Sequence, residues 1–218
     1  MKKLQDKVAV FVGGGSAVAT IALKHFMDEG AKVLLVDVDE KYFDRSRQLR
    51  DEYPERIRTF IGACTCQGDM ERAMAFAEQE FGGIDILCNY AGFHGGGDIT
   101  TVLREQWIAM DVTCLGIYRA VRAAYPYMKK HHYGRIMNFA SIGGRANRGV
   151  PVTYAGFKAA AIGLTRALAL ELAADGITVN SMAPASLDTS AFERIPEKDS
   201  IPMQPPKGAL KGGPGATR

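Results

Sequence analysis

Tyr154 and Lys158 stand four residues apart in "NFASIGGRANRGVPVTYAGFKAAAIGLTRALALEL". On a helix that spacing projects both side chains from one face, a turn apart. An ammonium there favours the phenolate and lowers the phenol's pKa from its ordinary value of about 10, which suits proton transfer near neutral pH. A second pair with this spacing, Tyr125 and Lys129, occurs in "YPYMKK". Context separates the two. Thirteen residues before Tyr154 lies Ser141, at the end of an apolar run, whereas the same offset from Tyr125 falls on Val112.

Such a set needs a sheet end and a helix to hold it, and the chain offers several. The apolar run Val8 to Val12 ends in Gly13, Gly14 and Gly15, and Ile21, Leu23 and Phe26 then follow a helical period. A strand, a glycine turn and a helix N-terminus expose backbone N–H groups to a pyrophosphate. The spacing matches neither glycine template in full: a G-x-G-x-x-G reading puts Val18 at the third glycine, and a wider one puts Ala17 and Ala19 at the second and third. By itself the loop reads as a phosphate cradle or as a tight turn, and Ala17 would be strained if its position required a positive φ. Asp37 ends the next apolar run, where a carboxylate either accepts hydrogen bonds from both adenosine ribose hydroxyls or caps the following helix. With the glycine turn before it, the ribose role is the stronger reading. A carboxylate there repels a 2′-phosphate, so the expected cofactor is NAD rather than NADP.

Further short apolar runs lie at 32–37, 56–61, 84–88, 134–140 and 177–182, separated by helix-length stretches at 39–52, 69–81, 104–130 and 153–175. This alternation predicts an α/β fold, a doubly wound parallel sheet of Rossmann type with six strands, whose ligands sit beyond the strands' carboxyl ends. One domain is expected over residues 1–192. Residues 193–218 hold five of the nine prolines and read as an irregular Pro/Gly-rich tail.

The bulk composition narrows the function classes. The net charge is +3 in 218 residues, with basic and acidic residues interspersed, so neither nucleic acid nor a membrane surface is an expected partner. No apolar run approaches spanning length and none follows the first charged residues as a leader would, which predicts a cytoplasmic protein. Four cysteines without a CxxC spacing predict reduced thiols and no metal site. A P-loop is excluded because no Lys-Ser or Lys-Thr follows the glycines.

Taken together these motifs resemble those of the short-chain dehydrogenase/reductase family, classical subgroup, over residues 5–203. "VGGGSAVA" is similar to its glycine loop, "NYAG" at 89–92 to its Asn-Asn-Ala-Gly strand end, Ser141, Tyr154 and Lys158 to its serine and Tyr-x-x-x-Lys, and "PASLDT" at 184–189 to its Pro-Gly segment. The resemblance implies that Tyr154 is the general acid/base, that Lys158 lowers its pKa and holds the nicotinamide ribose, and that Ser141 hydrogen-bonds the substrate oxygen. It implies cofactor contacts from Gly13, Gly15, Ser16, Ala17 and Val18 in the loop and from Asp37. Further contacts are implied for Ala63 and Cys64 after the third strand, for Asn89, Ala91 and Gly92, and for Pro184, Ala185, Leu187 and Thr189. The implied reaction interconverts a small-molecule secondary alcohol and a ketone with NAD. The implied assembly is a homodimer or homotetramer, here through the long helices at 104–130 and 153–175.

The chain also departs from the family pattern. Thr113 stands where the family has a catalytic asparagine, Ala63 and Cys64 where it has Asp-Val, Tyr90 at the second asparagine, and Ala185 at the glycine of Pro-Gly. The tail replaces the usual last helix and seventh strand. These departures keep open a rival expectation, a catalytically weak or inactive Rossmann protein that binds a nucleotide or a protein partner.

Overall fold

The computed structural model describes residues 2–92, 99–100, 108–146, 149–185 and 187. Thr189 and the tail at 193–218 lie outside them, as does most of the loop at 93–103. Five-residue β1 (Val8–Val12) is wholly buried, which is why it carries no polar alternation. It is followed by α1 (Ala17–Asp28), β2 (Lys32–Asp37), a 3-10 helix (Glu40–Ser46) and α2 (Arg47–Glu52). Next come β3 (Ile57–Ile61), α3 (Gln67–Phe81) and β4 (Ile86–Asn89). A helical turn, α4 (Ile108–Met110), runs through a π-helical stretch (Asp111–Leu115) into α5 (Gly116–Lys130). The described chain then continues through β5 (Gly134–Phe139), α6 (Val152–Leu172), a 3-10 turn (Ala173–Asp175) and β6 (Ile177–Met182).

All strand pairs are parallel and the order is β3-β2-β1-β4-β5-β6, so the expected Rossmann-type sheet is present. The direction of winding reverses between β1 and β4, where Val12 pairs with both Val36 and Asn89. A crevice at the carboxyl ends is expected at that reversal. Two buried layers flank the sheet. Val10, Leu34, Leu87 and Ile136 pack with Met74 and Met128 on one face, while Phe11, Leu35 and Cys88 pack with Leu23, Met27 and Phe43 on the other.

Two expected helices are broken in informative ways. The segment 39–52 divides because Asp39 caps a 3-10 helix, accepting from Lys41 N at 3.0 Å, and the Ser46 hydroxyl donates to Phe43 O at 2.9 Å, competing for the backbone at the junction. The described part of 104–130 widens into a π turn at Asp111–Leu115, with Arg119 Nη1 donating to Asp111 Oδ1 at 2.7 Å across it.

Polar side chains also cross the core on the α5 and α6 side. Asn89 Nδ2 donates to Asn138 Oδ1 at 2.8 Å, Asn138 Nδ2 to Thr165 Oγ1 at 2.9 Å, and Thr165 Oγ1 to Ala161 O at 2.7 Å. Asn138 is fully buried. Asn138→Ala leaves a donor and an acceptor without partners and should cost roughly 2–4 kcal/mol, read as a fall in the urea midpoint; an unchanged midpoint would show that the chain of bonds adds nothing.

Candidate active site at the sheet switch point

The glycine loop is shaped first by its neighbours. Gly13 has φ +78°, and a Cβ there would stand 2.4 Å from Ala91 N, because the ends of β1 and β4 touch at this point. Gly13 N and Gly14 N both donate to Val36 O, at 2.9 and 3.0 Å. A Cβ on Gly15 would meet Tyr42 Cβ at 2.4 Å and Tyr42 O at 2.6 Å, so the 3-10 helix after β2 lies directly on the loop. Ser16 caps α1, its Oγ accepting from Ala19 N at 3.2 Å. Ala17 is the first residue of α1, and the only positive-φ non-glycine residues among those described are Asp6 and His132. The strain considered for Ala17 is therefore absent. With Ser16 satisfying Ala19, the N–H groups of Ala17 and Val18 lie ahead of the first intrahelical bond, in the position helix N-termini use for anions.

Asp37 reaches back to this loop. Its Oδ2 accepts from Gly15 N and its Oδ1 from Val38 N, both at 2.9 Å. Burial pushes its carboxyl above the usual carboxylate range, while those two bonds and the Arg45 guanidinium pull the other way. Each oxygen keeps a lone pair for a further donor.

After β3, Ala63 N donates to Asp69 Oδ2 at 2.8 Å. Asp69, in the first turn of α3, reaches back as acidic residues at that helix position do, and Arg72 contacts its other oxygen. Cys64 is buried, and burial, followed by the Asp37 charge, pushes its thiol up to about 11. Its Sγ lies 3.8 Å from Val112 O and 2.9 Å from where a Cβ on Gly116 would be, so the β3 loop packs on the π turn.

The chemical groups gather on the other side of the switch point. Lys158 is 6% exposed, and its Nζ donates to Phe139 O at 2.7 Å. Burial lowers its pKa to about 8, which still leaves it mostly protonated at neutral pH. Its Nζ lies 5.8 Å from the centroid of the half-buried Tyr154 ring. Ser141 Oγ accepts from Gly143 N at 3.1 Å, capping a 3-10 turn (Ile142–Gly144). Thr113 is 1% exposed, and its Oγ1 has no hydrogen-bond partner among the described residues. A Cβ on Gly92 would lie 3.2 Å from Lys158 Nζ and 3.9 Å from Thr113 Oγ1, so both groups converge on Gly92.

Other positions sort by environment. Tyr90, at the family's second asparagine, turns its ring between Phe11 and Phe139, at 5.1 and 5.2 Å, and joins the core on the α1 side. Burial pushes its phenol far above the ordinary value, unsuited to proton transfer. Pro184 O accepts from Ile142 N at 2.9 Å, tying the segment after β6 to the Ser141 turn. Ala185 and Leu187 are exposed. The pair Tyr125 and Lys129 belongs to the opposite end of the sheet, where Tyr125 donates to Asp175 Oδ2 at 2.7 Å and Lys129 to the Tyr125 hydroxyl at 3.0 Å, just before β6. Asp69 and Arg45 were not among the expected site residues. Asp69 had a signal in its place in a helix first turn; Arg45, whose Nη1 donates to Gly15 O at 3.2 Å, had none. Among the described residues no group of three or more metal-ligating side chains occurs and no helix is long and apolar enough to cross a membrane.

Comparison with known proteins gives this geometry a family. The family model described as enoyl-(acyl carrier protein) reductase matches residues 14–210. A dehydrogenase subunit of Thauera aromatica, BbsD, named for (2S)-(R)-hydroxy(phenyl)methyl-succinyl-CoA, is 32% identical over 203 residues, spanning 90% of this chain and 79% of its own. The 3-oxoacyl-(acyl-carrier-protein) reductase FabG of Thermotoga maritima is 29% identical over 197 residues, spanning 90% and 80%. Among solved structures, an NAD+-bound xylitol dehydrogenase superposes with a TM-score of 0.80 at 25% identity, over 84% of this chain and 72% of that one. With the sheet order, the family match and these relatives in agreement, the chain belongs to the short-chain dehydrogenase/reductase family of nicotinamide-dependent oxidoreductases.

Proposed function

We propose that the protein is an NAD(H)-dependent oxidoreductase that interconverts a small-molecule secondary alcohol and a ketone, with Ser141, Tyr154 and Lys158 as its catalytic set. The observation that carries this reading is the buried Lys158 ammonium 5.8 Å from the Tyr154 ring, beside Ser141 and across the switch point from the glycine loop. The names of the relatives support it: one is a dehydrogenase of a hydroxy compound and another a reductase of 3-oxoacyl groups.

The residues present fit a dinucleotide. The N-terminus of α1 offers N–H groups to a pyrophosphate, Asp37 keeps lone pairs for ribose hydroxyls, and Gly92 leaves open the space in front of Lys158. When bound, the nicotinamide supplies the hydride. Ser141 accepts one bond from Gly143 N, which leaves its own O–H to donate to a substrate oxygen and stabilise charge there. Tyr154 gives a proton to that oxygen in the reducing direction and takes it in the oxidising one. Lys158, held by Phe139 O, keeps two N–H donors for the ribose and the tyrosine. The buried Thr113 hydroxyl, without a partner among the described residues, is suited to hold a water beside Lys158 and so carry protons onward, although a hydroxyl lacks the amide of the family's asparagine.

A second reading, nucleotide binding without turnover, is favoured by that same substitution. Two measurements follow. Tyr154→Phe should lower turnover of a ketone from a screening panel by about 10³-fold while NADH affinity stays within a few-fold. Retained turnover would remove Tyr154 from its role, and a wild-type chain that binds NADH but reduces nothing in the panel would favour the second reading. The end of the π turn exposes Leu115, α5 exposes Tyr118, and α6 exposes Val152 and Leu170, the last 84% exposed, which suits a homodimer or homotetramer through these helices. Light scattering at micromolar concentration should give a multiple of the chain mass, and a monomeric mass would refute that assembly.

A further inference from the structure

Arg45 lies on the 3-10 helix after β2, outside every motif that the family resemblance rests on. It is half-buried, and its Nη1 donates to Gly15 O at 3.2 Å. Asp37 holds the N–H of the same residue at 2.9 Å. Gly15 is thus gripped from both sides, by a carboxylate at its nitrogen and a guanidinium at its oxygen. The Tyr42 backbone, where a Cβ on Gly15 would come within 2.6 Å of the carbonyl oxygen, fixes how far the 3-10 helix stands from the loop. The other cation on this helix near the strand end, Lys41, is paired with Asp39 at 3.1 Å. Arg45, besides its bond to Gly15 O, is a positive charge that acts on Asp37.

We propose that Arg45 is a specificity-determining residue of the dinucleotide site, its guanidinium offsetting the repulsion that Asp37 exerts on a phosphate at the adenosine 2′ position. The proposal rests on the dinucleotide reading above. Asp37 accepts from ribose hydroxyls and repels a 2′-phosphate, whereas a guanidinium is a planar fork that suits phosphate oxygens. The preference for NADH over NADPH is then the difference between two opposed charges on either side of Gly15. Removing one side must move the preference one way, and removing the other must move it back.

The test is a set of fluorescence titrations with NADH and NADPH on the wild-type chain, Arg45→Gln, Asp37→Ala and the double variant, with Arg45→Lys alongside. Asp37→Ala should narrow the NADH preference by about tenfold, and Arg45→Gln in that background should remove most of the NADPH affinity gained. Alone, Arg45→Gln should weaken NADPH by about fivefold and leave NADH within about twofold, and Arg45→Lys should fall between wild type and Gln because it keeps the charge without the fork. Equal losses for both cofactors in every background would reduce Arg45 to a structural tether and overturn the proposal. If Arg45→Gln does not fold, as read by its melting temperature, the NADPH to NADH ratio of Arg45→Lys decides: a lowered ratio supports the proposal and an unmoved one overturns it. A wild-type chain that binds neither cofactor would overturn the dinucleotide reading itself, whereas NADH binding with a ratio blind to residue 45 would overturn this proposal alone.

Discussion

Much of this structure hangs on one carbonyl. Val12 O, at the end of β1, accepts from both Tyr90 N at 2.8 Å and Ala91 N at 2.9 Å, drawing the end of β4 against Gly13. Because the sheet reverses its winding between these two strands, that contact also lies at the switch point. The glycine loop and α1 leave it on one side, and the run toward Gly92 leaves it on the other. A side chain at position 13 would force the two apart, so the close backbone approach comes before any question of phosphate.

The surroundings of Asp37 and those of Lys158 are built differently. Around Asp37 the interactions are mostly backbone to side chain at a half-open edge: Gly15 N to Asp37, Arg45 to Gly15 O, Ala63 N to Asp69. Around Lys158 the groups are buried, and the low dielectric strengthens the ammonium's hold on its surroundings while making its charge costly. The bond to Phe139 O offsets part of that cost. The Thr113 hydroxyl, without a hydrogen-bond partner among the described residues, is also buried, where an unmet hydrogen bond is most expensive.

All six strands were legible because each is a short apolar run buried by helices, and this pattern survives without knowledge of partners. Spacing and context singled out Tyr154, Lys158 and Ser141, of which the structure sets Lys158 beside the Tyr154 ring, and they set aside the rival Tyr125 pair for lack of a hydroxyl partner; the Tyr125 hydroxyl serves Asp175. What was not legible depends on contacts distant in sequence. Nothing near Tyr90 in the chain announces that Phe11 and Phe139 will enclose it. The break in the helix after Asp39 reflects a Ser46 bond and contact with the loop at Gly15, and the π turn before Gly116 has no local marker. Arg45 carries no motif, and its place is set by the approach of the 3-10 helix to a loop thirty residues earlier. Ala17 looked costly only so long as its backbone conformation was unknown.

The packing of Cys64 on Gly116 joins these two halves. The sulfur belongs to the loop after β3, and the glycine opens α5 directly after the π turn that carries Thr113. Volume added at position 116 has nowhere to go except toward the sulfur, and volume added at 64 presses on the turn. The two positions therefore form a steric couple, in which a larger residue at one requires a smaller one at the other. Sequence drift in the loop after β3 is in this way restrained by the helix that follows the π turn, so the two are not free to diverge independently.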